Sequence, residues 1–411
     1  MKKVSGIAAM MGVLGLVGAD SAWALSAETQ MLLDLLKSKG VITQNEADEF
    51  TRTLETKTGA APAREAEGPK SLSAVEPKQR REGVLPDTAE EVLGKVRLGG
   101  LVEVNALTAR TKNEEGEKST SSDLLLNTAQ LSAKAEINEY VSGSVVLLYE
   151  EEPGEGGNEI NVDEAFISLK GGEICPGYAN FGRIYLPFGL YESHFISDPL
   201  PLLLGETNDT GVVAGYANDF LDLNVGVFKG DVQEYDQDDQ IDTLVASATL
   251  SLGSAQEDGL NATGGVAYLS NLANSEELAE LASEDGIADT VGGASVFLRV
   301  SYAERYFFEA EYLWALDDFT DGDLEFIDAE NRSPRAWNLE TAARFIDGLE
   351  FALRYGGSDE GGRDFLAESE YGAVGSYQIF TNTSLALEYL FQDFENDTDN
   401  SQATMQIAVE F

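Results

Sequence analysis

The chain has 411 residues, of which 73 are acidic and 27 are basic, so its formal net charge at pH 7 is −46. Such an excess of carboxylates repels phosphate backbones, so we do not expect nucleic acid as a partner. The one cysteine, Cys175, cannot form an intramolecular disulfide and is expected to be an incidental turn residue. Stability must then come from packing and from a backbone hydrogen-bond network.

The first residues have the pattern of a secretory signal peptide. Lysines at positions 2 and 3 precede an apolar run over residues 4–18, and a small-x-small triplet follows at residues 22–24. We therefore predict a signal peptide over residues 1–24. After it the sequence has no apolar run of 18 residues or more, so a membrane-spanning chain of this kind has to be a closed β-barrel.

Two segments without strand character follow the signal peptide. Residues 25–55 show a helical spacing of leucines, a stop at Gly40 and a capping box of Thr43 with Glu46, which predicts a periplasmic helical hairpin. The hairpin either self-associates as a small bundle or remains a marginal hairpin without a partner, and the sequence favours neither. Residues 56–94 are rich in Ala, Pro, Glu, Lys and Arg, which predicts a flexible linker.

From residue 95 to residue 411, apolar and polar residues alternate with a period of two, as in strands that face lipid on one side. The sixteen predicted strands cover residues 96–109, 123–137, 141–151, 160–170, 177–186, 207–217, 219–229, 241–253, 260–270, 291–303, 305–317, 334–346, 348–358, 367–379, 382–393 and 401–411. Most are at least as long as the 9 to 11 residues that a tilted strand needs to cross a bilayer. The last strand ends on an aromatic residue, Phe411, as in many bacterial outer-membrane proteins.

The connections between the predicted strands alternate between short and long. The long ones cover residues 110–122, 152–159, 187–206, 230–240, 271–290, 318–333, 359–366 and 394–400. Outer-membrane barrels have short periplasmic turns and long external loops, whereas a soluble sandwich has no reason to place its long loops at one end. The sequence therefore predicts an all-β protein, a 16-stranded antiparallel transmembrane β-barrel of the porin type.

The alternation also assigns charged side chains to the inner face of the barrel. That face carries Arg299, Arg344 and Arg354 together with Glu309, Glu311, Glu340, Glu350 and Glu388. These charges either neutralise one another in a wet interior or select the solute that passes. Arg183 lies in the strand that leads into the third long connection, residues 187–206, and is a further candidate for the pore wall.

The third long connection contains the only histidine, His194, in a segment punctuated by prolines. Ser193, His194 and Asp198 suggest a hydrolase, but neighbouring side chains on an extended backbone point apart, so we expect no catalytic residues. We also expect no metal site and no cofactor, since one histidine and one cysteine make no metal-ligand set. The residues that we expect at the pore or its constriction are Arg183, Glu192, His194, Asp198, Glu206, Arg299, Glu309, Glu311, Arg344 and Arg354.

Two acidic segments, residues 150–164 and 230–239, lack the spaced pattern of a calcium loop. We expect them to be solvated external loops that divalent cations bridge to lipopolysaccharide. The expected partners of the chain are thus outer-membrane lipid, lipopolysaccharide and a small solute. By analogy with porins of this size, a homotrimer is also expected.

Several segments carry a resemblance to a known family. Residues 182–189, 192–200 and 204–207, with residues 141–151 and 162–169, resemble the LbtU-type siderophore porins. The resemblance implies passage of a ferric siderophore through the outer membrane without a plug domain. The amino-terminal hairpin is similar to the periplasmic coiled segments of phosphate- and sugar-selective porins.

Three functions remain open at this point. The first is a siderophore-type porin, which the family resemblance implies. The second is a general diffusion porin with a weak preference for cations, which the net charge favours. The third is a structural tether of the cell envelope that acts through the hairpin and the linker.

Overall fold

The computed structural model describes residues 96–151, 159–172, 176–235, 237, 240–253, 259–283, 285–327 and 331–411. The predicted signal peptide, hairpin and linker lie outside the described residues, as does Cys175. Parts of both acidic segments also lie outside them. None of the helices in the described ranges is long and apolar enough to cross a membrane.

Sixteen strands and three short helices make up this part of the chain. The strands are β1 (Val96–Lys112), β2 (Lys118–Asn138), β3 (Val141–Glu150), β4 (Asn161–Lys170), β5 (Gly177–Tyr185), β6 (Asn208–Ala217), β7 (Leu221–Phe228), β8 (Thr243–Leu252), β9 (Leu260–Leu269), β10 (Gly293–Tyr302), β11 (Tyr306–Ala315), β12 (Arg335–Ile346), β13 (Leu349–Asp359), β14 (Ser369–Phe380), β15 (Thr383–Asp393) and β16 (Asp399–Glu410). The helices are α1 (Leu200–Gly205), a 3₁₀ turn (Leu272–Asn274) and α2 (Glu276–Leu281).

Each strand pairs antiparallel with the next, and β1 pairs with β16, so the sheet is a closed barrel. The seam runs from the pair Leu101–Glu410 to the pair Lys112–Asp399. Phe411 continues the seam beyond β16, since its carbonyl accepts a hydrogen bond from the Gly100 amide at 2.8 Å. Closure leaves no unpaired sheet edge, which confirms the predicted fold class.

The two faces of the barrel differ in the way that the alternation predicts. In β11, Tyr306 and Phe308 are exposed on the outer face, whereas Phe307, Glu309 and Glu311 are buried on the inner face. Apolar and aromatic side chains cover the outside because lipid offers no hydrogen-bond partners. The polar residues therefore collect in the lumen.

The first external connection is much shorter than predicted. We expected a long loop over residues 110–122, but β1 and β2 continue to pair as far as Lys112 and Lys118 and leave only a turn at residues 113–117. The reason is the Ser- and Thr-rich start of β2, which is polar enough to resemble a loop but suits a strand. Lys112 also binds Asp399 of β16 at 3.0 Å, which extends the seam outward.

Apolar side chains from several loops pack together inside the barrel near its loop end. The cluster is centred on Phe188, Leu200, Leu204, Leu272, Leu278, Leu313, Phe319 and Leu324. Helix α1 packs on α2 and on the strands β11, β12 and β13. This inner core fixes the loops that enter the lumen, because burial of several large apolar side chains stabilises it by about 1.5–3 kcal/mol for each.

Candidate pore constriction

The loop between β5 and β6, residues 186–207, crosses the inside of the barrel; we name it loop L3. It starts and ends on neighbouring strands, yet it contacts Arg299 of β10 and Glu388 of β15. In a closed barrel of sixteen strands, β10 to β15 form most of the opposite wall. A loop that joins the two walls must pass through the lumen.

Carboxylates of the opposite wall bind the backbone of loop L3. Glu311 of β11 accepts hydrogen bonds from the amides of residues 190 and 191, both at 2.8 Å. Glu388 of β15 accepts from the amides of residues 196 and 197, at 2.6 and 3.1 Å. An extended loop leaves its own amides without intra-loop partners, and bonds to a carboxylate are about twice as strong as neutral ones. These two side chains therefore anchor the loop at both ends of the crossing.

A third anchor lies between these two. Glu340 of β12 accepts a hydrogen bond from the His194 amide at 2.9 Å and one from the Ser193 hydroxyl at 2.8 Å. The amide of Asn338 donates to the same carboxylate at 3.0 Å. Glu311, Glu340 and Glu388 thus form a row of three carboxylates that follows the path of loop L3 across the wall.

Arg354 of β13 completes the central anchor. Its fully buried guanidinium binds Glu340 at 2.9 Å and Glu370 at 3.2 Å. It also donates to the Ser197 carbonyl at 2.8 Å and lies 4.3 Å from the centre of the Phe195 ring. A buried ion is costly unless it is paired and hydrogen-bonded, and this guanidinium satisfies both requirements through wall and loop together.

His194 is held between two wall carboxylates. Its Nδ1 lies 2.7 Å from Glu350 Oε1 and its Nε2 lies 3.6 Å from Glu309 Oε1. Its ring packs on Phe307 with 5.3 Å between the ring centres. Burial alone would lower the pKa of His194, but the negative charges of Glu309 and Glu350 and the hydrogen bond with Glu350 raise this pKa to about 10. The imidazolium is therefore charged at neutral pH and acts as a cationic anchor.

The remaining arginines of the inner face are engaged in the same way. Arg299 contacts Glu192 of loop L3 and binds Glu309 at 3.3 Å. Arg344 binds Glu350 at 2.8 Å. Arginine suits these positions because its planar group binds two acceptors at once. Together with the three carboxylates, Arg354 and His194, these residues form what we call the anchoring network.

A second group of carboxylates lies beside the anchoring network. We name it the acidic cluster; its members are Glu103, Glu150, Asp198, Glu206 and Glu276, from β1, β3, loop L3 and α2. The charge of Glu150 interacts with those of Glu103, Asp198 and Glu276, and the charge of Glu206 interacts with the last two. Burial and these neighbours raise the pKa of Glu206 well above its usual range.

The predicted pore residues fall into these two groups. Glu192, His194, Arg299, Glu309, Glu311, Arg344 and Arg354 lie in the anchoring network, and Asp198 and Glu206 lie in the acidic cluster. Arg183 is exposed in β5 and interacts with the charges of Asp163 and Glu276. The set of pore candidates left out Glu340, Glu350 and Glu388, although the alternation places them on the inner face. It also missed Glu370, which the alternation of β14 places on that face with Val374.

The geometry of Ser193 and His194 does not match that of a nucleophile with its base. The Ser193 hydroxyl donates to Glu340 and accepts from Arg354, while the His194 ring faces Glu350 and Glu309. Among the residues that the structure describes, no three His, Cys, Asp or Glu side chains are placed to hold a metal ion. The contacts of Ser193 and His194 are therefore those of side chains that position loop L3.

No protein-family model matches this chain. The chain is 24% identical over 279 residues to a UPF0422 protein of Coxiella burnetii, a match that covers 66% of this chain and 59% of that protein. It is 24% identical over 295 residues to a UPF0422 protein of Legionella pneumophila, with coverage of 66% and 54%. The chain thus spans little more than half the length of the curated relatives that it matches.

Solved outer-membrane channels share the architecture. The channel DcaP of Acinetobacter baumannii matches with a TM-score of 0.52 and 15% identity, over 77% of this chain and 97% of that one. An anion-selective porin from Comamonas acidovorans matches with a TM-score of 0.53 and 15% identity, over 77% of this chain and 99% of that one. OprB of Pseudomonas putida matches with a TM-score of 0.53 and 11% identity, over 79% of this chain and 96% of that one. At such identities the likeness concerns the fold, so siderophore specificity stays a prediction, and the chain has the fold of an outer-membrane porin.

Proposed function

We propose that this protein is an outer-membrane channel for small hydrophilic solutes, in which loop L3 narrows the passage. The observation that carries the proposal is the crossing of the lumen by loop L3 and its attachment to Glu311, Glu340 and Glu388. A loop that merely covered the barrel mouth would not need partners deep on the opposite wall. The porin fold also favours a channel over an enzyme.

The charges of the lumen favour cations. The arginines of the anchoring network are each paired with carboxylates, so their positive charge is largely neutralised. The acidic cluster brings five carboxylates together, and its negative charge increases as the pH rises above the pKa of Glu276, which burial raises to about 7. A narrow passage lined by one sign of charge concentrates ions of the opposite sign.

Single-channel recording in a planar bilayer with a salt gradient tests this function. At pH 8 we expect a reversal potential on the cation-selective side, and a smaller one for Glu276→Gln, because Glu276 has a pKa of about 7 and one charge of the acidic cluster is removed. The matched control is Glu136→Gln, which removes an equal charge from an exposed ion pair with Arg97. An anion-selective reversal potential in the wild type contradicts the proposal.

A ferric siderophore is the second candidate solute. The segment that carries the LbtU-type resemblance, residues 182–207, is largely the segment that crosses the lumen as loop L3. If a ferric siderophore is the solute, cells without the protein lose uptake of ferric siderophore, and the intact gene restores this uptake. Unchanged uptake in the deletion strain rules the siderophore out and leaves the channel proposal standing.

A further inference from the structure

The part of the lumen wall that loop L3 leaves open is rich in amide side chains. Loop L3 begins at β5 and is attached to strands between β10 and β15, so the passage beside it is bounded by the strands from β16 through β1 to β4. We name the amide-bearing surface there the amide wall; its members are Gln392, Asn400, Gln402, Gln406, Asn105 and Asn127. Neither the anchoring network nor the acidic cluster contributes a side chain to it.

The strand register brings these amides together inside the barrel. Asn105 is opposite Gln406 in the β1–β16 pair, and Asn400 is opposite Gln392 in the β15–β16 pair. The neighbour of Gln406 in β16, Met405, is exposed on the outer face, so alternation turns Gln406 toward the lumen. Opposite residues of an antiparallel pair have Cα atoms about 5 Å apart. The amides therefore form one continuous surface.

The amide wall keeps hydrogen-bonding capacity for a solute. Gln406 is half-buried, and its side chain makes no hydrogen bond to another described residue. Gln402 donates once, to the Thr404 hydroxyl at 3.1 Å, and Asn400 donates to Gln392 at a long 3.3 Å. Each of these amides offers two donors and two acceptor positions. Most of them are therefore available on the lumen side.

The available groups suit a solute with hydroxyl groups. An amide both donates and accepts, and so does a hydroxyl, so the two can pair in either direction. The amides carry no charge and give an ion no advantage over a neutral solute. Leu107 lies on the same face of β1 as Asn105 and is half-buried, so it offers an apolar surface to C–H groups. A sugar ring presents both kinds of group.

We propose that the amide wall binds an uncharged polyhydroxylated solute, of the sugar or polyol class, as it passes loop L3. Hydroxyl groups of the solute bond to Asn400, Gln402 and Gln406, and its C–H groups pack on Leu107. The inference rests on the channel function proposed above and specifies a class of solute for it. It leaves the preference of the channel for small cations unchanged, because that preference depends on the acidic cluster.

Single-channel recording of the full-length protein with maltotriose, an uncharged trisaccharide, tests the proposal. We expect brief interruptions of the current that become more frequent as the sugar concentration rises. Gln402→Leu and Gln406→Leu remove an amide with little change in size, and each should weaken the affinity for maltotriose about fivefold, as expected for the loss of one neutral hydrogen bond. A polyethylene glycol of equal mass has donors only at its two ends, so it should interrupt the current less often.

The control is Gln378→Leu, which removes an amide near the short-turn end of β14, outside the amide wall. Its affinity for maltotriose should equal that of the wild type, and heat-modifiable migration in gels should show that all three variants are folded. Saturation-transfer NMR in detergent measures maltotriose binding without any current, so a failure of the channel and a failure of this site are separate results. The proposal is overturned if maltotriose does not bind, if Gln402→Leu and Gln406→Leu bind it as the wild type does, or if the polyethylene glycol interrupts the current equally often.

Discussion

Arg354 shows how one side chain can determine the course of a loop. It is the point at which two wall glutamates, Glu340 and Glu370, and the backbone of loop L3 at Ser197 meet. Without the guanidinium, two carboxylates would remain buried with like charge, which is costly in a low dielectric. Because arginine stays protonated, the position and planar shape of the guanidinium determine the course of the loop.

Arg354→Ala should lower the free energy of unfolding by about 3–5 kcal/mol, because it leaves buried charges uncompensated. Urea titration of the barrel in detergent, followed by its heat-modifiable migration in gels, measures the change. The matched substitution is Arg97→Ala, whose partner Glu136 is exposed, and it should have little effect. Equal stability of the two variants would contradict the role of Arg354.

We expect Glu276 to give the proposed channel a pH dependence. Burial raises the pKa of Glu276 to about 7; Arg183 opposes the rise and Asp163 adds to it. The carboxyl is neutral below this pKa and negative above it, so ionisation goes from about a tenth at pH 6 to about nine-tenths at pH 8. The cation-to-anion permeability ratio should therefore rise over this interval. Glu276→Gln should flatten the profile, and a flat wild-type profile would refute the assignment.

At the scale of elements, loop L3 and the wall are built for one another. Phe195 packs into the space over Gly372 of β14, where a Cβ atom would overlap its ring. The inner core then holds the other half of the loop through Leu200 and Leu204 of α1. The loop is therefore fixed by polar anchors on one side and by apolar packing on the other.

Gly372→Ala should displace Phe195 and loosen the polar anchors next to it. We expect a larger and noisier single-channel conductance, with the barrel still folded. Gly143→Ala is the control, since a Cβ atom at Gly143 of β3 meets only an ordinary contact, 3.9 Å from the Phe166 carbonyl. If the two variants conduct alike, Phe195 does not hold the loop.

The elements were largely predictable from the sequence, and the site was not. Alternation located all sixteen strands because each strand must place polar residues in the lumen and apolar ones in lipid, residue by residue. The same parity brought Arg354 and Glu340 to one face. Which amide of loop L3 binds Glu388 depends on contacts between residues almost two hundred positions apart, and no local pattern encodes them.

At the scale of the whole molecule, barrel closure and acidity have separate consequences. The closed ladder satisfies the backbone in lipid and leaves the interior free to hold charge. Within the part of the chain described above, the positive charges of the lumen serve mainly to hold loop L3. Glu276, beside the loop, gains its negative charge as the pH rises above its pKa of about 7 and then attracts cations. The net charge of −46 therefore bears on ion selectivity only through the carboxylates that line the lumen.

The most direct test of the account is the single-channel conductance after residues 190–198 of loop L3 are replaced by a short Gly-Ser linker. The control variant shortens the turn at residues 113–117, which is exposed and lies outside the lumen. We predict a several-fold larger conductance for the loop L3 variant, with weaker dependence on the acidic cluster, and no change for the control. Equal conductance of the loop L3 variant and the wild type would contradict the claim that loop L3 forms the constriction.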